Sequence, residues 1–328
     1  MPKIVYEPWT PRGEAADVVA HAEALCVQYR RQGYALTLRG LYYQLVARGL
    51  FPDSRRFVRV GLNQWVRDPN GTKNAQPNYK WLIDLMTKAR LGGLIDWYHL
   101  TDNNRGLSER GHWGSPESII DSAAAGYAID LWADQPGHVE VWVEKDALSN
   151  VVSRAAGAWD VPWMACKGYV SISEMWNAGQ RLAEYIRDGK HVTILHLGDH
   201  DPSGIDMSRD IADRLYMFIG ARRFDQLSVK RIALNMDQIQ QFDPPSDPAK
   251  LGDSRTSSYV EQFGEECWEL DALDPPVLDR LIRDEITMLV DHELYEARQA
   301  RQDEERGQLT RLSERWADVV ELLDEEEE

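Results

Sequence analysis

The stretch HVTILHLGDHDPSGI, residues 191–205, decides the fold. Its first seven residues are largely apolar or β-favouring, which predicts a strand buried on both faces. A polar turn follows, Gly198-Asp199-His200-Asp201-Pro202-Ser203-Gly204. Residues 203–218 then place apolar side chains at helical spacing. The same grammar recurs on either side. Residues 139–143 (VEVWV) read as a strand leading through Glu144 into a helix over 146–156, and residues 161–166 read as a strand before a helix over 171–187. Residues 229–234 add another strand. Alternation of this kind predicts an α/β unit with right-handed crossovers and a parallel sheet covered by helices on both faces. Beyond Pro275-Pro276 the pattern is helical, over 277–300 and 309–323.

Upstream the reading changes. Residues 14–31 form an amphipathic helix on the spacing of Val18, Val19, Ala22, Leu25 and Cys26. Thr37 fits an N-cap for a helix over 38–48, which Gly49 and Pro52 end. Residues 67–77 are turn-rich, residues 79–89 form a third helix, and residues 94–100 read as a strand entering a polar turn at 101–106. Three short helices, a strand and a turn predict a helix-turn-helix or winged-helix unit. The chain thus divides into a winged-helix-like domain over 1–110, a linker over 111–138, an α/β domain over 139–276, and C-terminal helices with an acidic tail over 277–328.

Ligands of open parallel sheets bind beyond the carboxyl ends of the strands. Glu144 ends one strand, and Asp199 and Asp201 follow another, so three carboxylates are expected at one rim. Mutually repelling carboxylates call for a hard divalent cation with oxygen ligands, and Mg²⁺ fits that description. The bland alternative is that these acids cap the helices that begin beside them.

Glu144-Lys145 after one strand and the Asp199–Gly204 turn after a later one resemble the Toprim domain, a Mg²⁺-binding fold of topoisomerases, primases and nucleases. The chain is most similar to the topoisomerase VI A subunit and its meiotic double-strand-break relatives. Lys167-Gly168 and Glu269-Leu270-Asp271-Ala272-Leu273 resemble further segments of that family. The resemblance implies a winged-helix domain before a Toprim domain, Mg²⁺ held by Glu144, Asp199 and Asp201, double-stranded DNA as substrate, and a homodimer in which one protomer's tyrosine meets its partner's metal. It also implies a separate ATPase subunit, because no phosphate-binding GxxxxGK[ST] motif is present here. After Lys167-Gly168 the chain departs from the family, with Tyr169-Val170-Ser171 where Pro-Asp is usual.

In Leu38-Arg39-Gly40-Leu41-Tyr42-Tyr43 the resemblance assigns the DNA-cleaving nucleophile to Tyr43, with Arg39 beside the scissile phosphate. Transesterification by a phenol conserves the phosphodiester energy in a phosphotyrosyl bond. Its ordinary pKa of about 10 leaves little phenolate at neutral pH, and a neighbouring Arg39 would lower it. Leu38, Leu41, Tyr42 and Leu45 form an apolar stripe, and Tyr43 lies about 100° round from Tyr42. Tyr43 is therefore expected to be exposed. Packing of both tyrosines in a core is the competing reading. Two other functions remain open: a Toprim nuclease using water, and a DNA-binding accessory protein without catalysis.

Taken alone, the charge of −17 argues against a nucleic-acid partner. Its distribution corrects that inference. Residues 1–110 hold 16 Lys+Arg and 10 Asp+Glu, so this part is mildly basic, whereas the far end closes on DEEEE at 324–328. Arg55, Arg56, Arg59, Lys88, Arg90 and Lys167 are the candidate DNA contacts, with Arg67, Lys73 and Lys80 nearby. Trp65, Trp81, Trp97 and Trp113 could stack on bases or anchor a core. His200 reads as a spacer between its two aspartates. Three isolated cysteines, Cys26, Cys166 and Cys267, exclude a disulfide scaffold and a cysteine-based zinc site. No apolar run is long enough to span a membrane and no leader is visible, so a soluble cytoplasmic protein is expected.

Overall fold

The computed structural model describes residues 3–61, 64–101, 111–220, 225–249 and 255–326. Four parallel strands form the central sheet: β5 (Gly137–Val143), β6 (Trp163–Ala165), β7 (His191–Leu197) and β8 (Leu227–Ala233), in the order β6-β5-β7-β8. The two middle strands are buried along nearly their whole length, as their apolar character requires. Side chains alternate between two cores, since successive strand residues point to opposite faces. Val139, Val141 and Val143 of β5 join Leu195 and Leu197 of β7 on one face, and Trp142, Val192 and Ile194 occupy the other. Between these strands run α5 (Ser149–Gly157), α6 (Ile172–Arg187) and α7 (Pro202–Ile219). The α/β reading of 139–234 therefore holds, with each strand displaced by at most a few residues.

The N-terminal part contains α1 (Glu14–Arg31), β1 (Leu36–Thr37), α2 (Leu38–Ala47), a hairpin of β2 (Phe57–Gly61) and β3 (Gln64–Arg67), α3 (Gln76–Leu91) and β4 (Leu100–Thr101). Thr37 caps α2 by accepting from the Gly40 N–H at 3.1 Å. The hairpin lies between the second and third helices, in a stretch for which the sequence predicts no element. The strand expected over 94–100 is instead a 3₁₀ turn at Trp97–His99, followed by β4 pairing with β1 in parallel. Asp96 fixes that turn by accepting from the Tyr98 N–H at 2.9 Å. Residues 102–106 of the expected polar turn lie outside the described residues.

Downstream come α8 (Met236–Phe242), a hairpin of β9 (Ser246–Pro248) and β10 (Glu266–Trp268) with α9 (Thr256–Phe263) between its strands, and then α10 (Pro275–Thr287), α11 (His292–Glu314) and α12 (Trp316–Glu326). The helix expected over 277–300 breaks after Thr287, and Asp291 caps α11 by accepting from the Glu293 and Leu294 N–H groups. The stretch 111–138 carries α4 (Pro116–Gly126). The turn after α4 is tied to α11 by a bond from the Ile129 N–H to Gln302 Oε1 at 2.9 Å.

One buried cluster crosses the predicted domain boundary. It holds Val18, Leu25, Leu41, Leu45, Leu82 and Met86 from the N-terminal helices, β5 and β7 residues, and Leu278 and Ile282 of α10. Polar contacts reinforce it. The Tyr29 hydroxyl donates to Asp274 Oδ1 at 2.6 Å, and Asn74 Nδ2 donates to the Ser246 carbonyl at 3.0 Å. The N-terminal helices are thereby seated against the rim of the sheet.

Candidate metal centre and nucleophile cavity

Parallel pairing of Val143 with Leu197 brings the carboxyl ends of β5 and β7 side by side. The Glu144 N–H donates to the Leu197 carbonyl at 2.8 Å, and Glu144 Oε2 accepts from the Asp199 N–H at 2.8 Å. Glu144 and Asp199 therefore meet at the rim, 55 residues apart in sequence. Arg231 on β8 grips the turn from below, donating to the carbonyls of Gly198 (2.8 Å), Asp199 (2.6 Å) and Gly204 (2.9 Å). Gly204 is required here for space, because a Cβ at this position would lie 2.1 Å from the Asp199 carbonyl oxygen. Asp201 caps α7, its Oδ1 accepting from Ser203 Oγ at 2.8 Å and the Gly204 N–H at 2.6 Å. The bland capping reading is thus correct for Asp201, though for one of its two oxygens only.

Sequence reasoning assigned no role to two further carboxylates that face Asp199. Asp199, Glu269 and Asp271 offer oxygens within 4.8 Å of one another, and this buried acidic trio could hold a metal ion. Glu269 and Asp271 lie in the turn after β10, and the Leu270 N–H between them donates to Asp199 Oδ1 at 2.8 Å. The signal was visible as a second acid-x-acid pattern after a short strand. Two cations face the trio. Lys145 Nζ lies 2.9 Å from Asp199 Oδ1 and 3.0 Å from Asp271 Oδ1 and also contacts Glu269 Oε2. Arg39 approaches Glu269 Oε2 at 2.5 Å and lies 3.2 Å from Asp271 Oδ2.

Burial dominates the electrostatics. It pushes Asp199 up to about 8, with Glu144, Glu269 and Asp271 adding to the rise and Lys145 opposing it. Glu144 is raised by burial as well. Glu269 behaves differently: burial works against its charge, but Lys145 and Arg39 outweigh it and hold the carboxyl below its ordinary value. Burial pulls Arg231 down to about 10.

The expected metal ligands each keep one oxygen out of the protein's own bonds. Among the described residues, Glu144 Oε1, Asp199 Oδ2 and Asp201 Oδ2 make no hydrogen bond or ion pair, while the opposite oxygen of each is fixed by the protein. Each of these three carboxylates is thus held through one oxygen, but the group whose ligand atoms all lie within 4.8 Å of one another is Asp199, Glu269 and Asp271, not Glu144, Asp199 and Asp201.

Tyr43 lies against this centre but is buried, at 3% exposure, rather than exposed as the helical wheel predicted. The wheel failed because α2 is covered on more than one side, its outer side by the turn containing Glu269 and Asp271. The Tyr43 hydroxyl accepts from Arg39 at 3.2 Å. Its pKa is raised, by burial first and then by Glu269 and Asp271, and Arg39 offsets only part of this. Tyr42 is held differently, accepting from the Ala75 N–H at 2.8 Å and reaching Asn74 Oδ1 at 3.1 Å. A cavity of about 500 Å³ joins the parts, lined among others by Arg39, Tyr43, Asp199, Asp201 and Glu269, with Arg59 and Trp65 of the hairpin on its wall.

The expected DNA-contact residues do not share one environment. Arg55 stacks over Trp81 at 3.8 Å and donates to Asn78, and Arg90 stacks over Trp97 at 4.5 Å and donates to the Trp97 carbonyl. Those two arginines and two tryptophans are occupied within the chain. Arg56 donates to the Gly71 carbonyl, Arg59 and Lys88 are exposed, and Lys167 is exposed in a left-handed conformation, 3.5 Å from Asp146. His196 and His200, four residues apart, serve separate cores, through Ser208 and Tyr259 respectively. No family model matches the chain, and no curated protein matches it. Among the described residues no helix is long and apolar enough to cross a membrane.

Proposed function

We propose that the chain is a divalent-cation-dependent DNA-cleaving transesterase with Tyr43 as nucleophile. The observation that carries this reading is the cavity that Tyr43 lines together with Asp199, Asp201 and Glu269, with Arg39 contacting both the Tyr43 hydroxyl and Glu269. In the reaction the phenolic oxygen attacks phosphorus, the bond to the leaving sugar oxygen breaks, the phenolic proton is lost and the leaving oxygen gains one. A Mg²⁺ ion on Glu144, Asp199 and Asp201 would supply charge stabilisation at the phosphate. Arg39 is the residue placed to exchange its carboxylate partners for a phosphate oxygen, because its planar fork suits either. Arg231 and Gly204 fix the loop that presents the acids. The three N-terminal helices and the hairpin, with exposed Arg59 and Lys88, support a DNA-binding role of winged-helix type for the N-terminal domain, residues 1–110. A homodimer would provide one such site per strand, and strand passage would call for a separate ATPase subunit.

Covalent trapping tests the nucleophile. Incubation with end-labelled duplex and Mg²⁺, followed by denaturation, should leave label on the wild-type chain and none on Tyr43→Phe. Label that persists in Tyr43→Phe would sink the assignment. The burial of both tyrosines favours one second reading, a metal-dependent nuclease that uses water. It predicts cleavage that survives loss of both hydroxyls and disappears in Glu144→Ala.

A further inference from the structure

The acidic trio and the three free rim oxygens share one residue, Asp199, and differ in what already fills them. Lys145 follows Glu144 directly, so its backbone leaves the same strand end as the rim ligand. Its ammonium has three N–H donors and no acceptor. It meets three carboxylates: Asp199 Oδ1 at 2.9 Å, Asp271 Oδ1 at 3.0 Å, and Glu269 Oε2. It hydrogen-bonds Glu269 and Asp271 and forms an ion pair with Asp199, so all three acids of the trio face one ammonium. The side chain retains only 17% of its exposure. Mg²⁺ would need oxygens at about 2.0–2.1 Å in octahedral array. The trio is spread to ammonium distances, and its Asp199 oxygen is further committed to the Leu270 N–H.

We infer that Lys145 is the second cation of the reaction centre: it permanently occupies the trio, so that the chain binds one divalent ion, at the rim, where two-metal phosphoryl-transfer centres bind two. Asp199 gives Oδ1 to Lys145 and would offer its other oxygen to an ion at the rim. Lys145 is on this view a positioning residue that holds Asp199, Glu269 and Asp271 together without a dissociable ion. The inference rests on the metal-dependent reading above, but its signature is a difference between variants.

The experiment counts Mn²⁺ per chain by equilibrium dialysis with electron paramagnetic resonance, on wild type, Lys145→Met, and Lys145→Met combined with Asp271→Asn. Lys145→Met should bind one more ion than wild type, and the double variant should lose it again. Equal stoichiometry in wild type and Lys145→Met would overturn the proposal. Glu144→Gln in the wild-type background tests the rim separately: if its stoichiometry equals that of wild type, the rim assignment fails whatever Lys145 does. Should Lys145→Met not fold, crystals of the wild-type chain soaked in Mn²⁺ decide the matter by anomalous scattering. A peak between Asp199, Glu269 and Asp271 would refute the inference, and a single peak beside Glu144 and Asp201 would support it.

Discussion

Adjacent tyrosines in α2 differ in what holds their hydroxyls, and that difference is measurable. Removing the Tyr42 hydroxyl leaves the buried Ala75 N–H and Asn74 without their partner, so Tyr42→Phe should lose about 1–3 kcal/mol of stability. Tyr43→Phe removes one bond from a half-exposed arginine and should shift the denaturant midpoint far less while abolishing covalent DNA capture. Because burial raises the Tyr43 pKa above the ordinary 10, single-turnover cleavage should rise about tenfold per pH unit through pH 9 without a plateau. A plateau below pH 9 would mean that some other group supplies the nucleophile. Glu140 provides a test unrelated to the site. Burial opposes its charge, but His138 and Arg181 prevail, with Trp142 also bonding it, and hold it at about 2 against an ordinary 4.5. A depressed acid stabilises the fold fully above about pH 4.5 and loses that contribution as pH falls towards 2. Its loss amounts to about 3 kcal/mol. Urea titrations from pH 6 to pH 2 should show this slope in wild type and lack it in Glu140→Gln.

At the scale of elements, the turn between β7 and α7 depends on backbone contact as much as on its acids. Gly204→Ala would drive a methyl into the Asp199 carbonyl, and the expected result is a loss of about 1–3 kcal/mol together with weaker metal binding, read by thermal melts with and without Mn²⁺. The same scale shows what the sequence made legible. Strands β5 and β7 announced themselves because they are buried on both faces and so are mostly apolar or β-favouring, with only a few paired polar residues such as Glu140. The β2–β3 hairpin did not, since most of its residues are exposed and its strand character comes from cross-strand pairing. Residues 94–100 misled because their aromatic and aliphatic residues suit a strand equally well, whereas Asp96 caps a 3₁₀ turn there. Within the site, Glu144, Asp199 and Asp201 were legible from strand ends. The partnership of Lys145 with Glu269 and Asp271 was not, because it spans 124 and 126 residues.

Across the whole molecule, a single buried cluster runs from α1 through the sheet to α10. Cooperative unfolding follows from shared burial, so near-ultraviolet and far-ultraviolet circular dichroism should report one coincident urea transition. Two separated transitions would mean that the N-terminal helices fold independently of the sheet. DNA affinity should fall with added salt, with a slope set by the number of phosphates that the chain's Lys and Arg neutralise. The packing of Gly204 on Asp199 also bears on how this protein can vary over time. Carbonyl and α-carbon touch across the turn, and Arg231 fastens both ends of it. The number of residues between 199 and 204 is thereby fixed as firmly as their identities. In a library of single-residue insertions and deletions, this turn should be among the least permissive stretches of the chain, although turns generally accept length changes best.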